Sequence, residues 1–195
     1  VGLAGQARLN GHVSGTAEQP AGAITFAAHN LVTAGVKVRN VEGAAEMSGG
    51  LEGPLKADVQ LAGLAAEDVT ARADEWIEAL TLTVDGRQRD HQLGLNLHTP
   101  AATDTLVLKM AGAVVQPDPT GGAIAWRGQI NTLQTTGRFP LTMTAPVQLE
   151  AGPQRVRLDA VTFDAGEKGR IELQETMWSP QQITLRGGLQ GLVVD

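Results

Sequence analysis

The chain has 195 residues and a net charge of −6; it is 42% hydrophobic but only 3% aromatic, with no Tyr and no Cys. That length allows one large or two small domains, and the acidic balance argues against nucleic acid, whose phosphates need a basic footprint. Without Cys there is neither a disulfide framework nor a thiolate metal site, and no stretch approaches the ~18 apolar residues of a membrane-spanning helix.

Period two dominates from the first residues, "VGLAGQARL", which start mid-pattern and read as a piece cut from a longer protein. Strands are expected at Val1–Leu9, Ala23–Val32, Val36–Met47 and Leu55–Leu64. The stretch 65–80, "AAEDVTARADEWIEAL", is the one helical candidate: Val69, Ala73, Trp76 and Ile77 fall near i, i+4, i+7, i+8. Strands resume at Ile77–Asp85, Gln92–Thr99, Thr105–Val114, Ala123–Leu133, Leu141–Glu150, Val156–Asp164, Arg170–Glu175 and Ile183–Val193. Turn signals such as "DGRQRD", "QPDPTGG" and "DAGEKG" separate them. Connections this short favour antiparallel neighbours, because parallel pairs need a long crossover.

The alternation is one-sided. Leu80, Leu82 and Val84 alternate with Thr81, Thr83 and Asp85; Leu93, Leu95 and Leu97 alternate with Gly94, Asn96 and His98. Leu106, Leu108 and Met110 follow the same rule, as do Ile124, Trp126 and Ile130, then Val156 and Leu158, then Ile171 and Leu173. Val36 and Val38, and then Val59 and Leu61, repeat it around Lys37, Arg39 and Gln60. A single short helix cannot cover the apolar face of about a dozen strands. The face must be the dry interior of a sandwich or barrel, or the lining of a trough. Sandwich and small-barrel cores usually draw on large aromatics, and this chain has three Trp and three Phe. Its inward positions are mid-sized aliphatics, which suit an acyl guest. The expected fold is therefore all-β: a single, long, curved, mainly antiparallel sheet curled into a hydrophobic trough over residues 1–195, with Leu93, Leu95 and Leu97 on the concave side. Twelve strands at about 4.8 Å spacing would make it roughly 55 Å long.

Residues 123–180 also resemble the C-terminal region of TamB-like proteins. The likeness rests on the W-x-G pair Trp126 and Gly128 after an alternating strand, an aromatic with "PL" at Phe139 to Leu141, and "AP" at Ala145 and Pro146. It continues through "VRLDAVTF", "GRIEL" with Trp178 close behind, and the closing "RGGLQGLVV" at 186–194. Upstream, "EGPLKADVQLAGL" at 52–64 and "IEALTLTVDGRQRDHQLGLNLH" at 77–98 also fit; the first 35 residues share only the general pattern. The resemblance implies a periplasmic segment of a long envelope-spanning protein of a Gram-negative bacterium, anchored in the inner membrane by a helix outside this stretch. It implies phospholipid traffic toward the outer membrane, and assembly of outer-membrane proteins with a TamA-like barrel as partner.

Chemistry is weakly signalled. His91 and His98 lie seven apart, on opposite faces of one strand, and read as exposed polar positions rather than metal ligands. His12 and His29 lack ligand-spaced neighbours. The pairs Glu67/Asp68, Asp74/Glu75 and Asp85/Asp90 read as solvated charge, and Trp76 as a packing residue. Gly49-Gly50, Gly121-Gly122 and Gly187-Gly188 make no phosphate-binding motif, and there is no nucleophile elbow. A non-enzymatic protein without cofactors is expected. Its leading function is acyl-chain conduction along Leu80, Leu82, Val84, Leu93, Leu95, Leu97, Leu106, Leu108, Met110, Ile124, Trp126, Ile130, Val156, Leu158, Ile171 and Leu173. The alternative is a chaperone-like module that accepts unfolded outer-membrane strands at an edge built from Ile183, Leu185, Leu189 and Leu192. An autotransporter-like β-helix is a third reading, disfavoured by strands too long for its coils.

Overall fold

A computed structural model describes residues 3–16, 19–49, 52–100, 104–115 and 125–191. The fold is all-β: fourteen strands, every ladder antiparallel, within one sheet. Contacts divide the chain into two units, residues 1–106 and 107–195.

The first unit is an up-and-down meander of β1 (Leu3–Gly15), β2 (Pro20–Thr33), β3 (Val36–Met47), β4 (Pro54–Ala66), β5 (Ile77–Arg87) and β6 (Asp90–His98), each paired to the next. Strand β1 runs on to Gly15, six residues past the expected end. Among the described residues no α-helix occurs, and the helix expected over 65–80 is not formed. Ala65 and Ala66 stay in the sheet, opposite Lys37 and Val36, and Ile77 is already paired with Leu64. The residues left between, 67–76, are too few to sustain a nucleated helix, and Asp68, Val69, Thr70 and Asp74 are poor helix formers. They make one 3-10 turn, Arg72–Asp74, in a strap tied down by Glu67 N–H to the Gly35 carbonyl (2.9 Å) and Trp76 N–H to the Leu64 carbonyl (2.8 Å).

The second unit carries β7 (Thr105–Val115), β8 (Ala125–Thr135), β9 (Leu141–Met143), β10 (Val147–Ala151), β11 (Val156–Leu158), β12 (Val161–Ala165), β13 (Gly169–Ser179) and β14 (Gln182–Gln190). Strands β9 and β10 lie in line along β8, and β11 and β12 lie in line along β13. The pairs are thus two interrupted strands of one hairpin. Backbone bonds from Thr144 to Thr162 (3.0 Å) and from Asp159 to Gln148 (3.1 Å) carry the ladder across the break. Pro146, which lacks an N–H, sits at the interruption. There Ile130 pairs with Val147 but Gln134 pairs with Thr142, so the partner strand carries one extra residue, a β-bulge. The twelve strands expected from the alternation are all present, two of them broken in this way.

Packing is thin. Ile130, Val147 and Val161 form a buried cluster in the second unit, with Leu108, Met110, Leu133, Met143, Leu149, Leu158, Phe163 and Leu173 against it. In the first unit, Ala28 and Ala65 are the buried apolar side chains. The accessible surface is 12587 Å². Two well-packed bodies of half this mass would together expose about 10,600 Å².

Candidate functional site

In an antiparallel ladder directly opposed residues share a face, so the registers of the first unit read out what that face is made of. From β6 to β1 the opposed residues form four rows. The first is His91, Gly86, Leu55, Met47, Gly22, Val13; the second is Leu93, Val84, Ala57, Ala45, Ile24, Gly11. The third is Leu95, Leu82, Val59, Gly43, Phe26, Leu9; the fourth is Leu97, Leu80, Leu61, Val41, Ala28, Ala7. Every position but His91 is apolar or glycine. Five inter-strand gaps and three two-residue steps make the patch about 24 by 20 Å, near 500 Å². Apolar patches beyond a few hundred Å² mark interaction sites. The opposite face carries Gln92, Asp85, Lys56 and Glu46 in one row and Asn96, Thr81, Gln60 and Glu42 in another.

Side chains on the apolar face are mostly half-buried, and exposure rises toward β1, where Leu9 is 69% and Val13 90% exposed. Phe26 lies over Gly43: a Cβ there would stand 2.7 Å from the ring, so the aromatic fills the place of the missing side chain. Beside it is a shallow apolar hollow of about 190 Å³ touched by Val13, Gly22, Ile24, Ala45, Met47 and Leu55.

The face ends at a polar rim. Arg39 follows Val41 on the same side of β3 and stands opposite Gly63 of β4, while Glu78 follows Leu80 on β5. Gly63 has φ +70°, and the Arg39 side chain lies where a Cβ would go. Arg39 makes a two-pronged ion pair with Glu75 of the strap, Nε to Oε1 at 3.2 Å and the second guanidinium nitrogen to Oε2 at 3.0 Å. Val36 and Val38 fall an odd number of residues from Val41 and so leave the apolar side, and the alternation slips at Arg39.

In the second unit the registers place Trp126, Gly128 and Ile130 opposite Ala151, Leu149 and Val147, and Leu149 and Ala151 in turn opposite Leu158 and Val156 of β11. The Trp126 ring spans Gly112 and Gly128, which only residues without Cβ allow. Ile171 and Leu173 oppose Phe163 and Val161 on one side and Leu189 and Gly187 on the other. On the polar side, Arg127 and Arg155 converge on Glu150 at 3.3 and 3.4 Å. Burial pushes the Glu150 carboxyl up, but the hydrogen bonds and charges of the two arginines outweigh it and hold it below its ordinary range.

Most expected lining residues thus fall into opposed pairs: Leu80 with Leu97, Leu82 with Leu95, Val84 with Leu93. Leu108 and Met110 pack in the second unit's cluster, and Leu106 is half-buried on β7. Ile124 and Leu192 lie outside the described residues. Of the expected edge residues, Ile183, Leu185 and Leu189 are exposed on β14, which pairs with β13 alone. His98 is exposed, but His91 is not the exposed residue expected. It is 4% exposed, on the leucine face, with Nδ1 3.0 Å from the Arg87 carbonyl, and so holds the β5–β6 turn. Trp76 is an exposed strap residue rather than a packing one, because the helix that would have turned it inward is absent. Glu75 is not free solvated charge but the Arg39 partner. Sequence reasoning found Val59 and Leu61 of β4 but missed the rest of the lining from β1 to β4, whose signal was the same alternation diluted by Ala and Gly. It also missed Arg39 with Glu75, which are 36 residues apart with no local cue.

Among the described residues no group of three or more His, Asp or Glu side chains converges to hold a metal, and no helix is long and apolar enough to cross a membrane. Comparisons with protein-family models, curated proteins and solved structures find no match.

Proposed function

We propose that this chain is a segment of a TamB-like periplasmic protein whose apolar sheet face shields phospholipid acyl chains in transit between the two membranes of a Gram-negative envelope. The observation that carries this is the four-row face: 23 of its 24 positions are apolar or glycine, while the reverse rows Gln92, Asp85, Lys56, Glu46 and Asn96, Thr81, Gln60, Glu42 are polar. Each methylene moved from water onto such a lining gains roughly 0.8 kcal/mol. Because neighbouring rows are alike, that gain stays nearly constant from place to place, so a chain is held but not trapped. Nothing in the reading requires catalysis, a cofactor or a metal.

A photoreactive residue at Leu82, against one at Thr83, tests the reading in cells making phospholipid. Leu82 should crosslink lipid and Thr83, one residue on and facing the other way, should not. Equal crosslinking at both, or none at either, would remove the conduit.

A second reading, support of outer-membrane protein assembly with a TamA-like barrel, draws on a separate observation. Among the described residues strand β14 pairs only with β13, and it exposes Ile183, Leu185 and Leu189, features that suit strand addition by a partner. Loss of partner capture on deleting Ile183–Asp195, with lipid crosslinking at Leu82 intact, would assign assembly to that edge.

A further inference from the structure

Resting on the acyl-chain reading, we infer that Arg39 is the seat of a phospholipid phosphate, and that Glu75 occupies this seat while no lipid is bound. The geometry has three parts. Arg39 is the cation at which the apolar rows stop: going along β3 from Met47 through Ala45, Gly43 and Val41, the next residue on that side is Arg39. A lipid lying with its chains across the rows therefore brings its head to this rim. The guanidinium is presented sideways, over Gly63, in the forked geometry that matches a carboxylate or a phosphate equally well. It is reachable, since the Arg39 side chain is 33% exposed while its Glu75 partner is 10% exposed.

Glu75 thus stands where a phosphate would stand, as an internal competitor. It is delivered by the strap, which has its own attachments at Glu67 and Trp76 and does not depend on the ion pair to stay in place. Two strands from Arg39, about 10 Å away, the exposed Glu78 carboxylate lies on the same face. A head carrying an ammonium beside its phosphate is matched by that arrangement. The masking also serves a conduit: a bare arginine would hold every passing phosphate, whereas a carboxylate that rebinds Arg39 releases it.

The test uses phosphatidylethanolamine and a diacylglycerol with identical acyl chains, each titrated into the chain and its variants. Glu75→Gln should tighten phosphatidylethanolamine binding about tenfold, the scale of one charge-assisted contact freed, and leave diacylglycerol unchanged. Adding Arg39→Gln to Glu75→Gln should abolish that gain. If Glu75→Gln changes both lipids alike, or changes neither while both still bind, Arg39 is a structural clasp and the headgroup seat is wrong although the acyl-chain face stands. If the unsubstituted chain binds neither lipid, the acyl-chain reading fails and the seat with it. Thermal melts of each variant identify a loss that comes from misfolding, and Arg39→Lys separates charge from fork. The lysine should keep a fraction of the phosphatidylethanolamine preference in the Glu75→Gln background, and an unchanged loss would contradict a phosphate contact.

Discussion

Charge placed on the apolar face should separate an open lining from a dry core, because the two units offer both environments in one chain. Leu95 stands at the β6 end of its row, opposite Leu82, and is half-buried. Leu95→Asp forfeits part of a leucine's burial, about 1 kcal/mol of the roughly 1.5–3 kcal/mol for complete burial. The carboxylate can still reach water, so the added electrostatic cost is small, and the total should stay near 1–2 kcal/mol. Val147 is 3% exposed and sits in the cluster with Ile130 and Val161. Val147→Asp buries an unpaired charge, which costs several kcal/mol, on the order of 3–5. Thermal melts followed by circular dichroism read the difference. Leu95→Asp should keep a cooperative transition within about 10 °C of the parent, while Val147→Asp should abolish the transition of its unit. Lipid crosslinking from Leu82 should be lost in Leu95→Asp despite its native melt, since an alkyl chain cannot solvate the charge. A Leu95→Asp melt that collapses like that of Val147→Asp would show that the first unit's face is a closed core, and the reasoning would be refuted.

Other outcomes follow from the same geometry. Gly63→Ala should destabilise the first unit by about 1–3 kcal/mol, because φ is +70° and Arg39 fills the space; a urea midpoint equal to the parent's would contradict this. Glu150 has a folded pKa below its ordinary 4.5, so its ion pairs add stability that is fully present above that value and lost as pH falls through the folded value. Glu150→Gln should accordingly lower the urea midpoint at pH 7 and leave it equal to the parent's at strongly acid pH; the reverse order would overturn the assignment. Leu185→Lys on the exposed edge of β14 should reduce concentration-dependent self-association seen by light scattering, whereas a parent that stays monomeric at high concentration would remove the edge as an adhesive surface.

The strands were legible because strict alternation with turn residues between runs leaves little else for the chain to do. Leu93, Leu95 and Leu97 announce their face in ten residues, and the register then matches them to Val84, Leu82 and Leu80. The 65–80 stretch misled because a helical spacing of four apolar residues says nothing of the cross-strand bonds that hold Ala65, Ala66 and Ile77 in the sheet. His91 was misjudged for a related reason: a polar residue at the turn end of an apolar row is buried by the turn itself, and its ring satisfies a backbone carbonyl. The rows over β1 to β4 were faint because Ala7, Ala28, Ala45 and Gly43 dilute the contrast between faces, which only registry restores. The Arg39–Glu75 pair was invisible because nothing local links residues brought together by the strap.

The central claim is that the face bearing Leu82 is open and takes acyl chains. The chain has no Cys, so a single Cys at Leu82, or at Thr83 as its control, carries an environment-sensitive fluorophore cleanly. Without lipid both labels should emit as in water; with phospholipid added, the Leu82→Cys label should shift to the blue and the Thr83→Cys label should not. Apolar emission at Leu82→Cys before any lipid is present, unchanged on its addition, would mean that the face is already closed and would contradict the claim.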